Sequence, residues 1–302
     1  MSSPTVIETM GLSKLYGRSH AVRNLNLTVR PNRITAFLGL NGAGKSTTIR
    51  MLLGMIMPSE GSGTVLGRRI DDPAESVALR RDVAYVSEDK RLYNYMTVEQ
   101  MIRFTSGFVP GWREDVATAL LRRYELPAGR KVRHLSKGMH TKLALLLAIA
   151  RSPALLILDE PSEGLDPRGV EQLLETLVAQ CAEGTSIFFS SHQIEEVERI
   201  SDQVCVIHHG RLVMDAALDE LRESWRRVDV VLPGGAHVGD FEMQGVERVH
   251  TRGKQMSVVA SGNVDAIITR ASESGATAID VTPVGLREIF LQTIDLDTSG
   301  EN

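Results

Sequence analysis

The segment Ile34–Thr47 reads ITAFLGLNGAGKST, and it decides the fold class of the chain. The apolar run Ile34–Leu40 predicts a buried strand, and a helix is expected from about Lys45 to Ile56. Between them, Gly39–Ser46 matches the pattern G-x-x-x-x-G-K-[ST] in full. Glycines let backbone N–H groups wrap a phosphate chain without Cβ clashes, and a helix N-terminus adds positive potential. We therefore predict a phosphate-binding loop rather than an ordinary glycine-rich turn.

The side chains of this loop suit a nucleoside triphosphate with Mg²⁺. Lys45 can reach the β- and γ-phosphates, and the Ser46 hydroxyl can ligate the metal ion. The loop residues that we expect to contact the nucleotide are Asn41, Gly42, Gly44, Lys45, Ser46 and Thr47.

Two further apolar runs end in residues that can act on a phosphate. Leu155–Glu160 reads LLILDE, a strand with two carboxylates at the end where open α/β sheets bind ligands. Asp159 is placed to hold Mg²⁺, and Glu160 is placed to activate an attacking water as a general base. His192 follows another predicted strand and could hydrogen-bond the γ-phosphate. An acidic strand cap and a structural histidine are the plainer alternatives, and the complete phosphate loop disfavours both.

Composition narrows the class of protein. The net charge of −4 argues weakly against a nucleic-acid binder, which usually carries a basic excess. Cys181 and Cys205 show no metal-ligand spacing, so we expect two reduced, buried thiols in a cytosolic protein. The sequence begins without an apolar signal segment, and no run approaches the roughly 20 apolar residues that span a bilayer. We therefore expect a soluble chain whose membrane role needs a partner.

The apolar pattern predicts a large α/β part in which strands alternate with helices around a mainly parallel sheet. Strands are expected at Val6–Thr9, Leu25–Val29, Ile34–Leu40, Val83–Val86, Leu155–Leu158 and Ser186–Ser190, with a hairpin at Val204–His208 and Arg211–Met214. After the loop helix, further helices are expected at Val98–Phe108, Arg113–Tyr124, Lys137–Arg151, Gly169–Cys181 and Ile194–Ile200.

A small α+β domain is expected at residues 228–294, followed by a disordered tail at 295–302. Its predicted elements are the strands Val228–Leu232, Gln255–Ala260 and Ala278–Val281 and the helices Asn263–Ser272 and Leu286–Thr293. From Val228 to Asn302 there are five Lys or Arg against eleven Asp or Glu. This acidity disfavours nucleic acid or an anionic membrane surface as a direct target.

The motifs occur in the order found in the ATP-binding subunits of ABC transporters, which the chain resembles from about Val6 to Leu221. Gly39–Thr47 is similar to the Walker A motif, and Leu155–Glu160 is similar to the Walker B motif with its catalytic glutamate. The other matches are the aromatic loop Lys14–Gly17, whose Tyr16 would stack on adenine, the D-loop Ser162–Asp166 (SEGLD), the switch histidine His192, and Leu135–Met139 (LSKGM) in place of the signature LSGGQ.

The resemblance implies a P-loop NTPase core in residues 1–221. That core would hold an antiparallel β subdomain and a helical subdomain at about 90–152. A linker at 222–227 would join it to the small C-terminal α+β domain.

The resemblance also implies a mechanism and partners. In this family the signature serine and glycine cap the γ-phosphate bound to the facing subunit, so Ser136 and Gly138 are expected to act in trans in a head-to-tail dimer. Asp166 is carried over with the D-loop as a nucleotide-site residue. ATP and Mg²⁺ are the implied cofactors. The implied partners are a second identical or paired ATPase subunit and a permease on a separate chain, which would hold the protein at the inner face of the cell membrane.

Two departures from the family pattern matter. Glu88 replaces the Q-loop glutamine; its carboxylate can offer oxygen to Mg²⁺ beside Ser46 and Asp159, and a harmless near-isostere is the alternative. Lys137 replaces a signature glycine; it is either a cation that strengthens the closed dimer or a solvated stem. This form resembles a subgroup of bacterial exporters, so export is expected over import, while the transported substrate is not revealed.

Three other functions stay open on the sequence alone. A non-transport ABC ATPase that acts on nucleic acid or ribosomes usually carries two cassettes or a long coiled-coil insertion, and this sequence has neither. A GTPase or kinase would leave the LSKGM turn and His192 unexplained, and no N-K-x-D motif is present. The C-terminal domain could also make the protein chiefly a regulator or a constitutive dimer.

Overall fold

The strand that precedes the glycine-rich loop lies inside a six-stranded sheet of the computed structural model, which describes residues 5–233 and 238–299. Two units cluster separately, Met1–Asp215 and Ala216–Asn302. The strands up to Ala217 are β1 (Ile7–Tyr16), β2 (Ser19–Leu25), β3 (Thr28–Val29), β4 (Ile34–Leu38), β5 (Glu60–Val65), β6 (Arg68–Arg69), β7 (Val83–Val86), β8 (Leu155–Asp159), β9 (Ser186–Ser191), β10 (Gln203–His208) and β11 (Arg211–Ala217). The helices of this part are α1 (Lys45–Leu52), α2 (Pro73–Asp82), α3 (Val98–Ser106), α4 (Glu114–Arg123), α5 (Lys137–Ile149), α6 (Pro167–Ala182) and α7 (Ile194–Ile200).

The six-stranded sheet has the order β11-β10-β4-β9-β8-β7, and β10, β4, β9, β8 and β7 are parallel. Every residue of β4, β8 and β9 is buried, as the continuous apolar runs in the sequence indicate. Because parallel strands end at the same edge of a sheet, the segments that follow β4, β8 and β9 meet there. The mainly parallel sheet predicted from the sequence is confirmed.

The hairpin predicted around His209-Gly210 is present between β10 and β11. Its two turn residues both have positive φ, 44° for His209 and 80° for Gly210. A two-residue turn of this kind matches the twist of the strands that it joins.

A second sheet, antiparallel, has the order β2-β1-β5-β6, and the short β3 also pairs with β1, at Ile7 and Glu8. The predicted strand Val6–Thr9 covers only the start of β1. The predicted strand Leu25–Val29 is in fact the end of β2 and the whole of β3, and the part of β2 before Leu25 was not predicted. The sequence analysis also did not predict β5, whose sequence EGSGTV lacks an apolar pattern. A Cβ atom on Gly61 would lie 2.3 Å from the carbonyl oxygen of Gly11, so this strand depends on glycine to approach β1.

The helical part contains the three helices that the sequence predicts, α3, α4 and α5. Helix α3 begins with a capping box in which Thr97 and Gln100 bond each other's backbone N–H groups. Helix α2 was not predicted, although Asp72 caps it and Pro73 opens it, a pattern typical of a helix start. Helix α1 ends at Leu52, before Gly54 at φ 59°, and therefore stops short of the predicted Ile56.

The second unit contains a four-stranded antiparallel sheet with the order β13-β14-β12-β15. Its elements are α8 (Leu218–Ser224), β12 (Arg226–Val231), β13 (Val246–Arg252), β14 (Gln255–Ala260), α9 (Val264–Glu273), β15 (Ala278–Pro283) and α10 (Leu286–Ser299). Its core packs Phe241 and Ile267 against Val228, Val230 and Val258.

Two predictions about the edges of this unit need correction. Residues 222–227, predicted as a linker, are divided between α8 and β12, because Leu221 and Trp225 are buried and hold that stretch in regular structure. Residues 295–299, predicted as disordered, continue α10, and residues 300–302 lie outside the described residues. Leu286, Ile289, Phe290 and Ile294 are buried along this helix and anchor its end.

Both thiols are free; Cys205 is buried as predicted, whereas Cys181 is only half-buried. Among the described residues, no helix is both long and apolar enough to cross a membrane.

Candidate functional site

A cleft of about 540 Å³ opens where β4, β8 and β9 end. Its lining contains nine of the residues that the sequence assigns to the site, together with Ala21 and Glu163: the nine are Asn41, Gly42, Gly44, Lys45, Ser46, Thr47, Glu88, Glu160 and His192. We call this the loop cleft.

The Lys45 ammonium is buried at the bottom of the loop cleft, at the first position of α1. Its Nζ donates to the carbonyl oxygens of Gly39 at 2.8 Å and Leu40 at 3.3 Å, and it lies 3.1 Å from Oε1 of Glu160. Two of these oxygens accept hydrogen bonds from the ammonium, whereas Oε1 of Glu160 forms an ion pair with it and has no hydrogen-bond partner among the described residues. A phosphate that enters the cleft would compete with Glu160 for this cation.

The start of α1 supplies further donors. The first intrahelical bond is donated by Thr48 N–H to the carbonyl oxygen of Gly44 at 2.9 Å. The N–H groups of Lys45, Ser46 and Thr47 precede that bond and have no acceptor within the helix. Gly44 has φ 112°, and a Cβ atom there would lie 2.5 Å from the carbonyl oxygen of Ala21, so only glycine fits. These donors, with Lys45, make the cleft suitable for a chain of phosphates.

Glu160 is held between a cation and an imidazole. Its Oε1 faces Lys45, and its Oε2 lies 2.8 Å from Nδ1 of His192, which donates to the carboxylate. The backbone of Glu160 is left-handed, with φ 49°, a conformation that is uncommon for non-glycine residues. A buried carboxylate oriented from both sides is well placed to accept a proton from water in the cleft.

Ser190, which the sequence analysis left without a role, connects the Asp159 carboxylate to the backbone of Glu160. Its Oγ donates to Oδ1 of Asp159 at 2.6 Å and accepts from the N–H of Glu160 at 3.0 Å. Asp159 is buried beneath the cleft rather than on its surface. The burial of Tyr85, reinforced by the nearby Asp159 charge, raises the pKa of that phenol to about 12. The signal for Ser190 was present in the sequence, since it lies at the end of β9 beside the edge where β8 ends.

A second cleft, of about 450 Å³, is formed by the start of α5 and the segment before α6. Ser136, Gly138 and Asp166 line this signature cleft. Ser136 caps α5 by accepting from the N–H of Met139 at 3.2 Å, and Asp166 caps α6 by accepting from the N–H of Gly169 at 2.6 Å. The loop cleft and the signature cleft have no lining residue in common.

Gly138 packs directly on the D-loop segment. A Cβ atom at this position would lie 3.2 Å from the carbonyl oxygen of Gly164. The glycine therefore has a packing role in addition to the donor role that the resemblance implies.

Lys137 makes a contact that the sequence analysis did not consider, although its side chain is 62% exposed, as expected for a solvated stem. Its Nζ lies 2.6 Å from Oε1 of Glu163, so the lysine makes an ion pair within its own chain. This hydrogen bond holds the pKa of the Glu163 carboxyl below its ordinary value. Sequence reasoning missed Glu163 as a residue of the site, although it lies within the SEGLD segment.

Tyr16 and Glu88 are two further residues that the sequence analysis assigns to the nucleotide site. Tyr16 is half exposed and lines neither cleft; the Lys14 ammonium lies 5.4 Å from its ring centroid. Glu88 lines the loop cleft, and its carbonyl oxygen accepts from Nζ of the buried Lys90 at 3.1 Å. Burial lowers the pKa of Lys90.

Comparisons with known proteins agree with this geometry. The family model for ABC transporters matches residues 22–163. The chain is 30% identical to the bacitracin transport ATP-binding protein BcrA of Bacillus licheniformis, over 93% of this chain and 98% of that protein. It is 32% identical to the Nod factor export ATP-binding protein I of Rhizobium sp. (strain N33), over 96% of this chain and 97% of that protein. A solved ATP-binding subunit of an ABC transporter has a TM-score of 0.66 and 34% identity, over 72% of this chain and 92% of that chain.

We expect Ser190→Ala to lower the rate of Mg²⁺-dependent ATP hydrolysis by about tenfold and to raise the Mg²⁺ concentration needed for half-maximal activity. The change removes a short, buried hydrogen bond to the Asp159 carboxylate, of a kind that contributes about 1.5–3 kcal/mol. Steady-state rates measured across a Mg²⁺ titration check this.

Ser186→Ala is the matched control, because its buried hydroxyl accepts from the N–H of Asn32 at 3.0 Å at the opposite end of the same strand. Equal effects of the two substitutions would show that Ser190 matters only for the stability of β9.

Proposed function

This chain belongs to the ABC transporter ATP-binding proteins, and we propose that ATP joins two copies of it head to tail and that ATP hydrolysis drives a separate membrane permease. The observation that supports the dimer is the division of the nucleotide-binding groups between two clefts. The loop cleft holds the cation and the carboxylate, whereas the signature cleft holds the Ser136 hydroxyl and the amides at the start of α5. When two copies face each other in opposite directions, each nucleotide lies between the loop cleft of one and the signature cleft of the other.

The charged side chains of the loop cleft have separate roles in this proposal. Lys45 and the first N–H groups of α1 bind the phosphates, and Tyr16, which lies outside the cleft lining, stacks on the adenine. Glu160 accepts the proton of the attacking water, and His192 orients both Glu160 and the γ-phosphate.

Mg²⁺ fits this donor set, because it favours one or two carboxylates together with phosphate oxygens and water. Ser46 and Glu88 line the cleft and would hold it there, and Asp159 beneath the cleft would hold it through water. When bound, the ion neutralises charge on the β- and γ-phosphate oxygens.

The groups that act in trans lie on two helix starts. The amide donors and the Ser136 hydroxyl at the start of α5 would face the γ-phosphate held by the other copy, and Asp166 would stand beside that same nucleotide at the start of α6. ATP thus supplies the negative charge that the two copies share, and its hydrolysis removes that link.

We expect Glu160→Gln to slow ATP hydrolysis by at least 100-fold while ATP converts the protein from monomer to dimer. The amide keeps the shape of the side chain but cannot accept the proton, and general-base catalysis typically contributes 10²–10⁴-fold. Hydrolysis rates and size-exclusion chromatography with light scattering, with and without ATP, measure the two effects.

Lys45→Ala in the same background is the control, and it should abolish both ATP binding and the dimer. A Glu160→Gln chain that binds ATP and stays monomeric would contradict the proposed mechanism.

An exposed aromatic cluster on the helical part suits the permease. The ring of Tyr93 contacts those of Tyr95 and Phe104, with centroid distances of 5.8 and 5.3 Å, and the ring of Phe104 contacts that of Phe108 at 5.0 Å. Tyr95 is 67% exposed and Phe108 is 74% exposed, so these rings lie outside the core of the helical part. Aromatic side chains are enriched at protein interfaces, and we assign this cluster to the permease contact. The permease would hold the protein at the inner face of the cell membrane.

The direction of transport in this proposal is export, after the Nod factor export protein that the chain resembles over nearly its whole length. A homodimer is proposed for the ATPase, since one chain carries both clefts.

The permease contact is tested by purifying the tagged chain from gently solubilised membranes of its own host. We expect a membrane-spanning protein to co-purify and to stimulate ATP hydrolysis. The double substitution Tyr95→Ser and Phe108→Ser should abolish that capture and leave the ATP-dependent dimer intact, because it removes exposed rings only.

Met10→Ser is the matched control, since Met10 is also 67% exposed but lies on β1. If the membrane-spanning protein still co-purifies with the chain that lacks the two rings, the assignment of this surface is contradicted.

A further inference from the structure

The ion pair between Lys137 and Glu163 connects the two clefts of one chain. Lys137 lines the signature cleft, whereas Glu163 lines the loop cleft, and their charged atoms lie 2.6 Å apart. The stem of the lysine lies against Gly164, where φ is 79° and a Cβ atom would be 2.5 Å from Cδ of Lys137. The glycine therefore leaves the space through which the ammonium reaches Glu163.

The position of Lys137 on its helix requires an acidic partner. It is the first residue of α5, directly after the cap Ser136, and the first turn contains no acidic residue. A cation at a helix N-terminus faces the positive end of the helix dipole. Glu163 offsets this repulsion and fixes the side chain on the D-loop side of the turn.

The position of Glu163 in the loop cleft requires a cationic partner in turn. Three carboxylates line that cleft, Glu88, Glu160 and Glu163, whereas Lys45 is its one lysine among the lining residues. The Lys45 ammonium already faces Glu160. A triphosphate that enters would therefore meet the Glu163 carboxylate as a repelling charge unless another cation held it.

Two other cationic groups stand near Glu163 but do not replace Lys137. The charges of Lys90 and His192 also act on the Glu163 carboxyl and lower its pKa, after the larger effect of Lys137. Lys90 donates instead to the carbonyl oxygen of Glu88, and His192 donates to Glu160. Lys137 is thus the cation that bonds Glu163 directly.

We propose that Lys137 is a positioning residue for ATP binding: it holds the Glu163 carboxylate away from the phosphates in the loop cleft of its own chain, so that the signature turn tunes the affinity of that cleft. This inference rests on the proposed function, because it takes the loop cleft as the ATP site. It differs from the family mechanism, in which the signature turn acts on the nucleotide of the facing copy.

A double-mutant cycle on the full chain tests the proposal. We expect Lys137→Gln to raise the ATP concentration for half-maximal hydrolysis about 2- to 5-fold, the range for a partly exposed charge pair, with kcat within twofold of the unsubstituted chain. Glu163→Gln should leave this concentration unchanged or lower it. The double variant should return to within twofold of the unsubstituted chain, because the repelling carboxylate is gone. Lys137→Arg, which keeps the ion pair, should also restore binding.

The pair Arg199 and Glu171 is a matched control. Its contact is 2.7 Å and its side chains are 50% and 49% exposed, compared with 62% for Lys137 and 37% for Glu163. Neither control residue lines the loop cleft or the signature cleft, so Arg199→Gln should leave ATP affinity unchanged.

Additive effects in the cycle, with the Lys137→Gln defect persisting in the double variant, would overturn the inference and show that Lys137 acts without Glu163. A loss in kcat alone would overturn it as well. An unsubstituted chain that binds ATP without dimerising would instead contradict the proposed function. The two failures are distinguishable, because the double-mutant cycle measures the affinity of the loop cleft for ATP and does not measure dimerisation.

Discussion

The ends of three buried parallel strands converge on one buried ammonium group, and the chemistry of the first unit depends on that convergence. β4 leads into Lys45, β8 into Glu160 and β9 into His192, which form one chain of contacts of 3.1 and 2.8 Å. The register that pairs Asp159 with Ser190 sets these distances. Because a shift of one residue would turn every side chain of a strand to its other face, the apolar core around Phe37 and Phe188 fixes the geometry of the polar site.

The second constraint is charge. A site for a triphosphate needs donors, yet its lining and floor are rich in carboxylates, which need partners of their own. Asp159 has the Ser190 hydroxyl, Glu160 has Lys45 and His192, and Glu163 has Lys137. These partners come from three segments of the chain, so the loop after β4, the end of β9 and the signature turn are joined electrostatically. This explains how a change at Lys137, in a different cleft, can influence the loop cleft.

Much of the fold and of the loop cleft could be predicted from the sequence, because the phosphate loop, the buried strands and the helices are local patterns. β5 could not, since its polar, glycine-rich sequence becomes a strand only by pairing with β1. The Lys137–Glu163 contact was also beyond sequence reasoning, because nothing in the local pattern shows that two exposed side chains 26 residues apart will pair. The position of Ser190 at the end of β9 could have indicated its contact with Asp159, but the sequence analysis gave that hydroxyl no role. The sequence analysis ended α10 too early, because the polar residues from 295 onward suggest disorder. The helix nevertheless continues to Ser299, since its apolar side is buried.

The central claim is that each nucleotide is held by two chains, and Ser136→Asp tests it most directly. Aspartate caps a helix as well as serine does, so α5 should keep the cap that now bonds Met139 N–H. Its carboxylate would face the γ-phosphate of the facing copy in place of a hydroxyl donor. We predict that the variant binds ATP as a monomer and loses ATP-dependent dimerisation in light scattering. A variant that dimerises and hydrolyses ATP like the unsubstituted chain would contradict the account.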